Sequence, residues 1–226
     1  MSKFKFLPIG CLLVSILITM STGRALAQNV ELGVRLMPTV SSMKLNSSSG
    51  GSIKGEATLG FGAGAMIGFL ISEHVSIQVE AIYNSLNQKY KEQEEERNIN
   101  LRYFNIPLLV ALNTGKLKTV NFSVVAGPQL GFSAGSSITA PNKNNPDTNE
   151  PTLSVKKGDF GFAYGAGFDF ALNSEKSFRL GIGYRGVIGL IDISDDSNTT
   201  ITDSYYVLEK TTIRTHSAYV GLSIQF

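Results

Sequence analysis

The sequence has one cysteine, no tryptophan, two histidines and, at 17% of 226 residues, few charged side chains. A single cysteine excludes a disulfide scaffold and any cysteine-rich zinc module. The formal net charge of +2 supplies no basic face for nucleic acid. His74 and His216 lie far apart in the chain, so no Ser/His/Asp nucleophile set can be assembled around either. Beyond the N-terminal segment there is also no apolar run approaching the ~20 residues that a membrane-spanning helix needs. The chain is nonetheless 42% hydrophobic, too apolar for a disordered tail and long enough to bury a core as one domain.

The first 27 residues have the layout of a secretory signal peptide. Lys3 and Lys5 form a positive start, Leu7 to Thr19 an apolar run broken by Pro8, Gly10 and Ser15, and Ala25-Leu26-Ala27 a small-x-small cleavage site. We therefore expect a cleaved segment at 1–27 and a single domain at 28–226. Cys11, Lys3, Lys5 and Arg24 leave with the signal, which removes the cysteine and tips the net charge from +2 to −1.

What remains alternates with a period of two. In Leu59-Gly60-Phe61-Gly62-Ala63-Gly64-Ala65-Met66-Ile67-Gly68-Phe69 the odd positions are apolar and most even ones are glycine, a composition no amphipathic helix carries. The same period predicts eight strands, near 29–40, 58–71, 75–90, 98–112, 119–134, 158–172, 177–192 and 205–226. Short connections at 72–74, 113–118 and 173–176 alternate with longer polar ones at 41–57, 91–97, 135–157 and 193–204. Such a meander predicts an all-β fold: an eight-stranded antiparallel up-and-down transmembrane β-barrel with short periplasmic turns and long extracellular loops. Closure removes the strand edges that hydrocarbon would not tolerate.

A soluble barrel of the lipocalin kind is the rival, and the two faces decide between them. One face carries Val30, Leu32, Val34 and Leu36, then Val120, Phe122 and Val124, then Phe160, Phe162, Tyr164, Phe168 and Phe170, and finally Ala218, Val220, Leu222, Ile224 and Phe226. The other carries Gly161, Ala163, Gly165, Gly167, Gly181 and Gly183 with a few charges. Small residues make a poor soluble exterior but suit the crowded inside of a narrow barrel. The apolar face therefore points to lipid. Phe122 and Phe132, like Phe160 and Phe170, lie ten residues apart on it; at ~3.3 Å per residue and ~40° tilt this spans about 25 Å, the height between aromatic girdles. Phe69, Phe122, Phe170, Phe178 and Phe226 are expected to form the periplasmic belt.

Parity places Glu31, Arg35, Glu80, Asp169, Arg179 and Arg185 inside, three acidic and three basic. A three-residue turn at 173–175 would set Asp169 opposite Arg179. A catalytic carboxylate pair is the sharper reading, but an interior ion-pair network is favoured, because polar groups in a filled barrel need partners. Other motifs carry less. Gly181-Ile182-Gly183-Tyr184-Arg185-Gly186 matches G-x-G-x-x-G but continues a strand instead of opening a helix. Asp192, Asp195, Asp196 and Asp203 lack the spacing of a calcium loop, and Glu92 to Glu96 reads as a solvated tip. No catalytic residue, metal ligand or cofactor is expected.

Leu101-Arg102-Tyr103-Phe104-Asn105-Ile106-Pro107-Leu108-Leu109-Val110 resembles the Y-L-E-I-P-L-L-L strand of PorT-family outer-membrane β-barrel proteins of Bacteroidetes-type bacteria. Val125-Ala126-Gly127-Pro128-Gln129-Leu130-Gly131 resembles that family's A-G-P-x-x-G strand, and the chain ends on an aromatic residue as its members do. Asn105 departs from the usual Glu. The resemblance implies an outer-membrane location and fixes no activity; a few relatives are tied to protein secretion. Phe226, outward at the last position, resembles the sorting signal read by the outer-membrane assembly machinery. The sequence thus predicts a non-enzymatic structural or surface-interaction protein. Its expected partners are outer-membrane lipids, lipopolysaccharide and the assembly machinery, with a secretion-system partner, or an envelope enzyme or narrow channel, as alternatives.

Overall fold

The computed structural model describes residues 29–46, 52–54, 56–92, 95–139, 156–193 and 212–226. The expected signal peptide at 1–27 lies outside them. Nine strands are present among the described residues: β1 (Val30–Asn46), β2 (Ser52–Lys54), β3 (Glu56–Ser72), β4 (Val75–Glu92), β5 (Glu95–Asn113), β6 (Val120–Thr139), β7 (Gly158–Ala171), β8 (Phe178–Gly189) and β9 (Ile213–Gln225). Each of the eight long strands pairs antiparallel with its neighbours in sequence, and β1 pairs with β9, from Glu31↔Gln225 to Met43↔Ile213. The eight long strands thus form a closed, up-and-down barrel. β2 is a three-residue segment paired with the end of β1, Lys44↔Lys54 to Asn46↔Ser52.

Burial follows the alternation. Val34, Leu36, Leu59, Phe69, Leu108, Val124, Phe132, Ile182 and Leu222 are exposed, with Val34 at 60% and Leu59 at 64%. In water, so much exposed apolar surface would drive association; against lipid it is the wall of the protein. The wall is also bounded in height. On β9 the outward residues are apolar from Phe226 up to Ala218 and then become His216 and Arg214; on β5 they are apolar from Leu112 up to Phe104 and then become Arg102.

Inside, apolar side chains pack in two clusters among the described residues. Leu109, Ala111, Val125 and Ala163 pack together, as do Met37, Ile82 and Tyr219. Inward glycines admit the neighbouring strand closely: a Cβ on Gly127 would collide with the Leu108 carbonyl oxygen. The β5–β6 ladder slips one residue between Arg102↔Gly135 and Tyr103↔Ser133, where Gly135 takes a positive φ of 130°, the mark of a bulge that re-aims the strand above the membrane.

Two expectations about connections change. Residues 91–97 are not a loop: β4 and β5 continue as a ladder to Glu92↔Glu95, leaving only 93–94 between them. The stretch from Lys91 to Arg97 holds no apolar residue, so apolar alternation disappears from the sequence while pairing persists. The β7–β8 turn is also longer than three residues. Ala171, not Asp169, faces Arg179, and Asp169 faces Gly181. The cause is local: Lys176 adopts a left-handed φ of 59°, and Asn173 caps the turn by accepting from the Phe178 amide at 3.0 Å.

Candidate functional site

All six inward charges named from the sequence lie inside the barrel, and they divide between two layers. The upper layer is built on Glu80 of β4. Its carboxylate receives Arg185 of β8 in a two-point contact, Nη2 to Oε1 at 3.0 Å and Nη1 to Oε2 at 3.2 Å, and forms an ion pair with Arg35 of β1. The Arg35 guanidinium lies over the Tyr219 ring, 4.7 Å from its centroid. One carboxylate thus ties opposite walls of the barrel, because β1 and β8 flank β9 while β4 stands across the lumen.

The lower layer centres on a residue that alternation could not reveal. Lys116 belongs to the 114–119 turn, yet its side chain is 2% exposed and rises into the lumen. Its Nζ lies 2.8 Å from Glu31 Oε2 and 3.2 Å from Asp169 Oδ2. Asn121 Nδ2 also donates to Asp169 Oδ2 at 3.1 Å, and Ser223 Oγ to Glu31 Oε1 at 2.7 Å. The fold-back is permitted by Gly115 at φ 150° and held by the Lys116 amide donating to the Glu73 carbonyl of the neighbouring turn. The two layers stand four residues apart along β1, about 10 Å in height at ~3.3 Å per residue and ~40° tilt.

Arg179 does not make the expected side-chain pair with Asp169. Wholly buried, it donates to backbone carbonyls: Nη2 to Lys118 at 3.0 Å and to Asp169 at 3.2 Å, and Nη1 to Lys176 at 3.4 Å. The two-residue change of register at the β7–β8 turn places Arg179 below Asp169, where turn carbonyls rather than a carboxylate are within reach. With Lys116 and the inward Asp159 of β7 added, the interior charges among the described residues number four of each sign.

Phe226 is exposed at the end of β9, and its amide donates to the Val30 carbonyl at 2.9 Å, joining the last residue to the first strand. Gly181 to Gly186 lie within β8, His74 sits in a periplasmic turn, and His216 faces outward near the opposite end. Asp195, Asp196 and Asp203, and Gln93 and Glu94 of the acidic run, lie outside the described residues. Among the described residues no group of three His, Cys, Asp or Glu is placed to hold a metal ion.

The chain that forms this closed antiparallel barrel matches, over residues 26–195, the family described as outer membrane protein beta-barrel domain. The chain belongs to this family. It is therefore an outer-membrane protein that crosses the bilayer with strands. Among solved structures it is similar to the outer membrane protein AlkL determined in lipid bilayers, with 12% identity, 91% of this chain and 94% of that one covered, and a TM-score of 0.50. It is also similar to Neisserial surface protein A, with 13% identity, 87% and 97% coverage and a TM-score of 0.48. A third is Ail, the attachment invasion locus protein of Yersinia pestis, with 11% identity, 87% and 99% coverage and a TM-score of 0.43. At these identities the likeness to the outer-membrane barrel fold is all that carries over. No curated protein matches the chain in sequence.

Proposed function

We propose that this outer-membrane barrel works as a surface-interaction protein through its extracellular connections, with the lumen as a structural ion-pair network and not a pore or catalytic site. The observation that carries this reading is the upper layer: Glu80 holds Arg35 and Arg185 across the lumen, and every carboxylate oxygen there already faces a guanidinium. A solute would have to break that layer, and neither oxygen of Glu80 is left over for acid or base chemistry. The variable chemistry of the molecule then resides in the polar stretches 140–157 and 190–212. Two measurements test the reading. Planar bilayers containing the purified barrel should show no unitary conductance, and cells carrying a chain with 141–154 replaced by Asn-Gly should lose surface binding while keeping normal barrel levels. Steady single-channel currents from the unaltered protein would overturn it.

A second reading follows from the 101–110 and 125–131 segments, which resemble PorT-family strands: an accessory component of a protein-secretion or envelope-assembly machine. It requires a partner that co-purifies in detergent and loss of secreted cargo on deletion. On either reading residues 1–27 direct export and are removed, and Phe226 serves recognition by the assembly machinery.

A further inference from the structure

On the outer wall, where β7, β8 and β9 meet, the apolar band is interrupted by a polar cluster. Tyr184 and His216 stack, with ring centroids 6.1 Å apart, and share a hydrogen bond between the Tyr184 hydroxyl and His216 Nδ1. Tyr164 lies 6.3 Å from Tyr184 and covers Gly186, whose added Cβ would meet the Tyr164 ring. Arg214, one outward position above His216, is exposed and has no ion-pair partner among the described residues. His216 lies ten residues from Phe226, about 25 Å above the periplasmic edge at ~3.3 Å per residue and ~40° tilt, which is the far boundary of the hydrocarbon. Arg214 therefore stands at the level of the outer-leaflet headgroups, where lipid phosphates are the anions within its reach.

Directly below, an open groove of about 420 Å³ lies on the lipid face across β6, β7, β8 and β9. Its floor is small, made by Ala166, Gly167, Gly183 and Ala218, and its rims are Phe122 and Phe168 on one side and Tyr184 on the other. A headgroup-level cation with hydrogen-bonding aromatics above a narrow apolar groove is the outline of one lipid molecule. We propose that this face is a specific site for a phosphate-bearing lipid of the outer leaflet, with the phosphate on Arg214 and His216 Nε2 and one acyl chain in the groove beneath. Arg102 of β5 is likewise exposed at the upper end of the apolar band, on another part of the wall. It is the built-in control for general headgroup attraction.

Native mass spectrometry of the full barrel in mild detergent tests the site, with titrated diphosphorylated lipid A and its dephosphorylated form as probes. The phosphorylated lipid should bind at one saturable site, and removing the phosphates should weaken binding at least tenfold. Arg214→Ala with His216→Ala should weaken it to a similar extent, Ala218→Phe should weaken it with the phosphates intact, and Arg102→Ala should change it less than twofold. Equal loss from Arg102→Ala, or equal binding of both lipids by the unaltered protein, would overturn the proposal. The two-lipid comparison needs no variant to fold, and heat-modifiable gel mobility checks that each variant does.

Discussion

Replacing Glu80 with alanine is the sharpest perturbation the lumen offers. It removes the carboxylate between Arg35 and Arg185 and leaves two guanidinium groups facing each other across a poorly solvated space. Removing one member of a buried pair costs about 3–5 kcal/mol, because the orphaned charge cannot return to water. Two cations are orphaned here, and the contact from Arg185 is two-pointed, so the expected loss lies at the upper end, about 5 kcal/mol. That is roughly 3–4 powers of ten in the folding equilibrium constant. The same reasoning makes an opposite demand of the triple variant Arg35→Met, Glu80→Leu, Arg185→Met. With no charge left to desolvate, its stability should return to within about 2 kcal/mol of the unaltered protein, or exceed it. Part of the remaining deficit would be the lost stacking of Arg35 on Tyr219, about 0.5–2 kcal/mol. Urea titration in lipid vesicles, followed by gel mobility and circular dichroism, measures both; tryptophan fluorescence is not an option in a chain without tryptophan. If Glu80→Ala lies within about 1 kcal/mol of the unaltered protein, or the triple variant is no better than the single one, the lumen is wet and the layer is not what binds its walls.

Lys116→Met should destabilise by about 3 kcal/mol in the same titration, since Glu31 and Asp169 lose their shared cation; an unchanged midpoint would mean that the turn does not plug the barrel. Gly127→Val should cost about 1–3 kcal/mol or block folding, because its Cβ meets the Leu108 carbonyl oxygen, whereas Gly158→Ala, with nothing within 4 Å, should stay within about 0.5 kcal/mol. Deleting Phe226 should lower outer-membrane insertion in cells several-fold while leaving folding into pure lipid vesicles nearly unchanged; equal loss in both settings would make it a structural aromatic only.

Strand pairing was legible in the sequence wherever lipid lay on one side and a crowded lumen on the other, because that contrast forces a period of two. Glu31, Arg35, Glu80 and Arg185 could be placed by counting alone. Where the contrast ends, so does the signal. Residues 91–97 are polar on both faces, and nothing in their composition separates a ladder from a loop. The Asp169–Arg179 pairing failed because a left-handed Lys176 moves the register by two positions, and a non-glycine residue gives no notice of that geometry. Lys116 escaped for a related reason: turn residues have no parity. The available hint was Thr114-Gly115-Lys116, a glycine able to reverse the chain beside a cation, in a molecule whose inward carboxylates outnumbered the cations near that end.

The inward glycines explain why a barrel this narrow can hold large charged side chains at all. A Cβ on Gly167 or on Gly183 would strike the Tyr219 hydroxyl, and one on Gly181 would come within 2.9 Å of Asp169 Oδ1. The bare backbone of β7 and β8 is thus the seat on which Tyr219 and Asp169 rest. Tyr219 in turn presents its face to Arg35, and Arg35 reaches across to Glu80. Each glycine is weak as a strand former in isolation, yet the ladder needs it so that the opposite wall can be reached. The alternation of glycine with aromatics along these strands therefore answers two demands at once: bulk where lipid must be met, and its absence where one wall must clear the side chains of the other. Substitutions that enlarge the inward positions act on the ion-pair layers through packing, without touching a charge.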